Sequence, residues 1–370
     1  MTGVQTCALP ISPGAPTAAT AAAAAAAAAA LGIGTGRSGI HVITGGFGGL
    51  GRTFATWLAE RGASCVALVH RSEAPGDAVE FVERLRELGA TESMGVRADV
   101  GDMESLAAAL AVVRPSERRI LSVIHSAGTL DDATIPNQTW GRFERVMRSK
   151  VLGAWNIHRL LMSGEGDGVL VLFSSVASVL GNFGQANHSA VNAFEDGLAH
   201  HRRANGMSAV SIQWGAWGEV GAAAKLGGRL EETGVKLFPV RSGIVAFEQI
   251  LENITKGFCE IGFASIDWTT YGKSRFARQL PWLSEMVDSW NQIAPKGKTK
   301  QESKKRGFTK QEQEKGDMRS TRNIEAVVKS VVKSILAVED IDSERPFGDI
   351  GMDSLIDRKS TRLNSSHGKL

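Results

Sequence analysis

The sequence predicts an α/β fold, a doubly wound parallel sheet with helices on both faces. Three observations predict it. Between Gly39 and about Phe263, short apolar runs alternate with segments of helical spacing. The runs are apolar almost throughout, as strands buried on both faces must be. The first run leads into a glycine-rich turn and then a helix.

Residues 1–36 carry no periodic pattern. The alanine run from Ala18 to Ala30, broken only by Thr20, is of low complexity. It lacks the basic segment and the large apolar residues of a signal peptide. "MTGVQTCALPIS" and "DRKSTRLNSSHGKL" resemble translated sequencing-adapter sequence, so residues 1–36 and 358–370 are set aside from fold reasoning. Within 37–290, "IHVIT", "CVALV", "ILSVIH", "VLVLFSS", "AVSIQW" and "FCEIGF" read as buried strands of one domain. Residues 291–318 are rich in Lys and Gln and nearly free of large apolar groups, which predicts a basic, disordered linker. Acidic residues are interspersed, so a solvated tether is the better reading than a nucleic-acid tail. In 319–357, Ile324, Val327, Val328, Val331, Val332, Ile335 and Leu336 form one apolar stripe, the mark of a helix.

Composition excludes several classes. The chain has 370 residues, 43% of them apolar, enough for one full core and a smaller appendage. A net charge of +3 points to no nucleic-acid partner. No apolar run is long enough to span a bilayer, so no membrane partner is expected. Cys7, Cys65 and Cys259 have neither metal nor disulfide spacing. A reducing, cytoplasmic compartment and no metal site follow as expectations.

The glycine-rich turn carries the first chemistry. In "TGGFGGLG", Gly46, Gly48 and Gly51 satisfy G-x-G-x-x-G, and Thr44, Gly45, Gly49 and Gly51 satisfy T-G-x-x-x-G-x-G. Phe47 and Leu50 complete the loop. Glycine lets backbone N–H groups approach a pyrophosphate, and the following helix N-terminus adds its positive end. With a strand before and a helix after, the context is that of a Rossmann-type dinucleotide site. The second strand ends in His70, Arg71 and Ser72, where an NAD site usually has an acidic residue. A guanidinium matches a 2′-phosphate, so the predicted cofactor is NADPH.

From about Gly39 to Glu285 the chain resembles the catalytic half of a ketoreductase domain from a modular type I polyketide synthase, which is similar to short-chain dehydrogenases/reductases. The matching stretches are "TGGFGGLG", "VHRS", "RADVGD", "VIHSAGTLDDA", "VMRSKVLGAWNIH", "LFSSVAS", "GQANHSAVNAF" and "SIQWGAWGEVG". The resemblance implies reduction of a β-ketoacyl thioester, held on an acyl carrier protein, to the β-hydroxyacyl thioester. "DIGMDSL" resembles the start of a carrier domain, with Ser354 at the 4′-phosphopantetheine attachment position. That implies a phosphopantetheinyl transferase and the other domains of a large synthase as partners. The carrier segment stops just after Ser354, and nothing before Gly39 resembles the family's structural half. The chain is therefore expected to be a fragment.

The resemblance assigns roles residue by residue. Lys150 supplies positive charge, Ser175 donates to the substrate carbonyl, and Asn192 orients the lysine and a water. Position 188 should be the proton-giving tyrosine, but it is His188, and the chain's single tyrosine is Tyr271. The register holds nonetheless: position 188 lies thirteen residues after Ser175, and Asn192 follows one helical turn later. A sequence error, a reductase without activity and a working histidine acid all remain open. An imidazolium beside an ammonium is disfavoured, and imidazole is shorter than phenol. Ser126, Ala127 and Gly128 should line the ribose side of the cofactor, and Asp99, with Val100 beside it, should meet the adenine. Leu130, Asp131 and Asp132 form the "LDD" triplet that accompanies the (3R) alcohol in this family. Leu180 stands where the opposite type has tryptophan. "WGAWGEVG" should begin a lid, with Trp214 and Trp217 either in the core or facing substrate. Three further readings are a module that binds NADPH without turnover, a carrier segment whose function is only Ser354 and, more weakly, a free-standing dehydrogenase. The latter would have Y-x-x-x-K, which "HSAVN" lacks.

Overall fold

The computed structural model describes residues 25–33, 39–113, 118–163, 168–225, 232–254 and 257–273. The predicted linker at 291–318, the carrier segment at 319–357 with Ser354, and the tail at 358–370 lie outside the described residues. Among the described residues, 135–140 fall in a unit separate from the rest.

Seven strands form one sheet: β1 (Gly39–Thr44), β2 (Val66–His70), β3 (Met94–Arg97), β4 (Arg119–His125), β5 (Val169–Ser175), β6 (Ala209–Trp214) and β8 (Glu260–Phe263). Their order is β3-β2-β1-β4-β5-β6-β8, and every pairing is parallel. The short strands β7 (Val235–Lys236) and β9 (Ser265–Ile266) pair separately and antiparallel. The predicted doubly wound α/β sheet is thus the observed one. All six runs singled out as strands belong to it.

Alternate residues of the five central strands feed two cores. Val66 and Leu68 of β2, with Val171 and Phe173 of β5, pack on one face. Their neighbours Ala67, Val69, Leu170 and Leu172 pack on the other. The first face is covered by α1 (Gly49–Glu60), α2 (Ala78–Glu87) and α8 (Val240–Ile254), through Phe54, Trp57, Leu85 and Phe247. The second is covered by α3 (Met103–Val113), α5 (Gly153–Ser163) and α7 (Ala186–Ala204), through Leu106, Leu110, Ile157 and Leu198. Shorter helices are α4 (Trp140–Met147) before α5, α6 (Ala177–Leu180) after β5, and α9 (Trp268–Lys273) after β9. One turn of π-helix, Arg148–Leu152, joins α4 to α5.

Two features differ from expectation. Residues 25–30 are helical, and Ala27, Ala28, Leu31 and Ile33 are buried in the first core. Alanine's helix propensity and small side chain explain both the helix and its close packing, so this part of the leader belongs to the fold. Strand β3 was not among the predicted runs. It lies at the sheet edge with Gly95 and Arg97 exposed, so it carries no continuous apolar stretch.

The two tryptophans do both things the sequence left open: they are buried, and both also line the larger of the two clefts described below. Trp214 and Trp217 are buried, 4.9 Å apart between ring centres, and pack with Phe54 and Phe238. The six-membered ring of Trp217 also abuts Gly243 of α8, where a Cβ would sit 2.1 Å from it. Gly243→Ala is therefore expected to displace that ring and destabilise the fold by about 1–3 kcal/mol, read as a lower midpoint in urea unfolding.

Candidate active site

Because all seven strands are parallel, the loops leaving their C-terminal ends meet on one side of the sheet. Two clefts open there. One of about 460 Å³ is lined by Lys150, Ser175, His188 and Asn192 together with Gly45, Gly48, Gly49, Leu50 and Gly51. The other, about 310 Å³, is lined by Phe47, Arg71, Ser72, Asp99, Val100 and Ala127. Gly45, Gly48, Ser126 and Gly128 line both, so the two clefts meet at the glycine loop.

The loop is built for close approach. Gly45 has φ +69°, a left-handed conformation that glycine adopts without strain. A Cβ on Gly51 would lie 2.3 Å from the Gly45 carbonyl oxygen. Thr44 and Gly46 line neither cleft and support the loop from below. The Thr44 carbonyl accepts from Ser126 Oγ at 2.7 Å, and a Cβ on Gly46 would strike Leu68. Helix α1 begins at the loop with no acidic residue in its first turn, so its positive end faces no competing carboxylate from that turn. At the far end, Arg71 and Ser72 stand where the sequence placed the 2′-phosphate. Glu73 lines the same cleft, but Arg97 lies 3.2 Å from its carboxylate. The residues present fit a phosphorylated dinucleotide.

Asp99 is more engaged than expected. One carboxylate oxygen accepts from Arg148 at 2.8 Å and the other from the Gly101 N–H at 2.9 Å. Burial alone would raise this carboxyl group, yet the hydrogen bonds outweigh it and hold it below the usual range. The "LDD" triplet splits. Leu130 lines the larger cleft, while Asp131 and Asp132 do not. Asp131 is held by Arg142 and Arg145, and its carbonyl accepts from Asn187 at 2.8 Å. Asp132 accepts from Gln185 at 2.8 Å. Both acids therefore tie their loop to the start of α7, the helix that carries His188.

Around the reacting position, Ser175 Oγ accepts from the Ala177 N–H at 3.2 Å, which leaves its own proton for a ligand. Asn192 Nδ2 donates to the His188 carbonyl at 2.7 Å and lies 3.2 Å from each ring nitrogen. Asn192 Oδ1 is buried with no hydrogen-bond partner among the described residues. Burial, with the Lys150 ammonium adding, pushes His188 down to about 4. Its imidazolium is then roughly a thousandth of the population at pH 7.

Lys150 sits in the π-helical turn, buried, and donates to the Phe173 carbonyl and, at 2.9 Å, to Glu195. Sequence reasoning missed Glu195. The signal was there: 188, 192 and 195 fall at i, i+4 and i+7 on one helix face. Glu195 is fully buried, and burial pushes its carboxyl group up to about 8 against the pull of Lys150. Its second oxygen lies 3.5 Å from His125 Nε2. His125 bonds Thr44 Oγ1 at 2.7 Å, so a buried polar chain runs from the lysine to the foot of the glycine loop. Tyr271, remote in sequence, also lines the larger cleft beside Leu180.

Residues 39–219 match the family model of the KR domain. The chain is 40% identical over 222 residues to the spectinabilin polyketide synthase system protein NorB of Streptomyces orinoci, covering 58% of this chain and 10% of that protein. It is 41% identical over 216 residues to the mycoketide-CoA synthase of Mycobacterium tuberculosis, covering 58% and 5%. Among solved structures, an A1-type ketoreductase aligns with TM-score 0.62 and 34% identity, covering 70% of this chain and 55% of that one. A C2-type ketoreductase from a modular polyketide synthase aligns with TM-score 0.56 and 29% identity, covering 63% and 50%. The chain thus spans a tenth or less of these two synthases and about half of these two solved chains.

Gly51→Ala places a methyl group against the Gly45 carbonyl. It is expected to weaken NADPH binding at least tenfold, about 1.4 kcal/mol. Fluorescence titration of the variant with NADPH measures this, with far-ultraviolet circular dichroism as the check on folding.

Proposed function

From the premise that residues 39–219 are a ketoreductase (KR) domain of the modular polyketide-synthase type, we propose that this chain uses NADPH to reduce a carrier-bound β-ketoacyl thioester to the β-hydroxyacyl thioester. The observation that carries the reading is the convergence of Lys150, Ser175, position 188 and Asn192 on one cleft that meets the glycine loop. When bound, NADPH supplies a hydride to the ketone carbon. Everything else falls to the chain. Gly45 to Gly51 hold the pyrophosphate, and Arg71 with Ser72 hold the 2′-phosphate. Ser175 Oγ–H donates to the ketone oxygen as negative charge develops there. Lys150 favours that charge, and the group at 188 delivers a proton to the oxygen. Leu130 and Leu180 flank the substrate side, and the Asp131 and Asp132 anchors fix the loop that selects a face.

The carrier segment extends the proposal: Ser354 takes 4′-phosphopantetheine from a transferase, and the acyl chain arrives on a carrier from another part of a large synthase. This rests on the "DIGMDSL" motif. Facial selectivity for the (3R) alcohol rests on the LDD triplet.

The depressed His188 favours a second reading, a pseudo-reductase that binds NADPH and turns over poorly. A neutral imidazole has no readily lost proton. The imidazolium that has one becomes common only near pH 4.

Two outcomes follow, both read by NADPH oxidation with a β-ketoacyl thioester. In the chain as it stands, the rate should rise about tenfold per pH unit between pH 7 and 5, because the acid form grows as pH falls toward the group's value. A flat profile would remove His188 as the acid. His188→Tyr should raise the rate at pH 7 by about 100-fold or more. No gain, with NADPH still bound, would mean that the lost phenol is not what limits this site.

A further inference from the structure

We propose that Glu195 is a positioning residue for Lys150: its buried carboxyl group holds the ammonium against the Phe173 carbonyl and, by its own ionisation, sets how much positive charge the lysine presents to position 188. The inference rests on the ketoreductase reading for its kinetic meaning but not for its geometry.

Three observations carry it. Glu195 is fully buried on the inward face of α7, seven residues after His188, and its Oε2 lies 2.9 Å from Lys150 Nζ. The same ammonium donates to the Phe173 carbonyl at the end of β5, so two acceptors fix its position. Glu195 Oε1 has no hydrogen-bond partner among the described residues, so nothing but the lysine compensates a full charge there.

The groups facing Glu195 set its behaviour. Lys150 comes from the π-helical turn. His125 comes from β4, 3.5 Å from Oε1, and burial with Lys150 pushes it down to about 3, so it stays neutral and gives no help. Asp196, the next residue, adds repulsion, although its own carboxylate accepts from Ser178, Ser211 and Gln213. Burial is the largest influence and raises Glu195 to about 8. Below that pH the carboxyl is protonated and the pair carries the lysine's full charge. Above it the pair is neutral as a whole. A phenol at 188 would feel the first condition as a push toward ionisation and the second as none.

The test uses the full chain carrying His188→Tyr, with and without Glu195→Gln, and a second comparison with Glu195→Leu. Ultraviolet difference titration reads phenol ionisation. Glutamine keeps an acceptor for the lysine but cannot ionise, so the ammonium stays uncompensated at every pH. The added tyrosine should then ionise at least tenfold more readily in the double variant than in His188→Tyr alone. Leucine removes the acceptor as well and should shift the phenol in the same direction while loosening the lysine, seen as a higher KM. Infrared titration should show a protonated carboxyl band that disappears near pH 8 and is absent from Glu195→Gln.

Identical phenol titrations in the single and double variants would overturn the proposal. So would lower thermal stability in the glutamine and leucine variants with no change in ionisation, since that is all a structural role predicts. Absence of turnover in His188→Tyr would count against the ketoreductase reading alone, because both spectroscopic titrations proceed without it.

Discussion

The structure depends on one constraint, the parallel alignment of seven strands that reverses its winding between β1 and β4. Parallel strands send every C-terminal end the same way. The loops after β1, β2, β4, β5 and β6 therefore supply Gly45, Arg71, Ser126, Val176 and Gly215 to one side of the molecule. At the reversal the flanking connections turn to opposite faces and leave a crevice between them. The two clefts meet there because the glycine loop after β1 and the Ser126–Gly128 segment after β4 are hydrogen-bonded neighbours. Nothing about the individual residues would bring them together without this winding.

Electrostatics divides the same site in two. One end has backbone N–H groups, a helix terminus and the more exposed Arg71. The reacting end is more deeply buried. There a single ammonium lies beside two histidines, both pushed down by burial and by that ammonium, and one carboxyl group pushed up. These shifts share a cause: a medium that penalises charge leaves room for one, and Lys150 already holds it.

Much of this was legible in the sequence, for identifiable reasons. Runs such as "VLVLFSS" announce buried strands because both faces of a central strand need apolar side chains. The edge strand β3 does not, since Gly95 and Arg97 face solvent. The register of Lys150, Ser175, position 188 and Asn192 could be counted along the chain, and all four line one cleft. Glu195 escaped because a charged residue in a helix is read first as solvated surface. Only packing of α7 against β5 and β6 shows that this face points inward. The π-helical turn beneath Lys150 has no compositional mark. The meeting of Leu180 with Tyr271, ninety-one positions apart, depends on tertiary contacts that periodicity does not report.

The departure at position 188 has a sign that the rest of the site makes plain. A phenol starts neutral and ends as an anion when it gives up its proton, so a neighbouring ammonium helps it. An imidazolium starts as a cation and ends neutral, so the same ammonium hinders its formation. Lys150 is oriented by two acceptors as if for a phenol. The His188 ring is packed against the Asn192 amide, with no carboxylate partner among the described residues that would hold it protonated. Glu195, the acid that pairs with the lysine, is itself raised to about 8 and is largely uncharged over the acidic range where an imidazolium would form. The glycine loop is linked to this end through His125 and Thr44, but its shape comes from contacts of its own, with Leu68, with Ser126 and within the loop. A substitution at 188 touches none of those contacts.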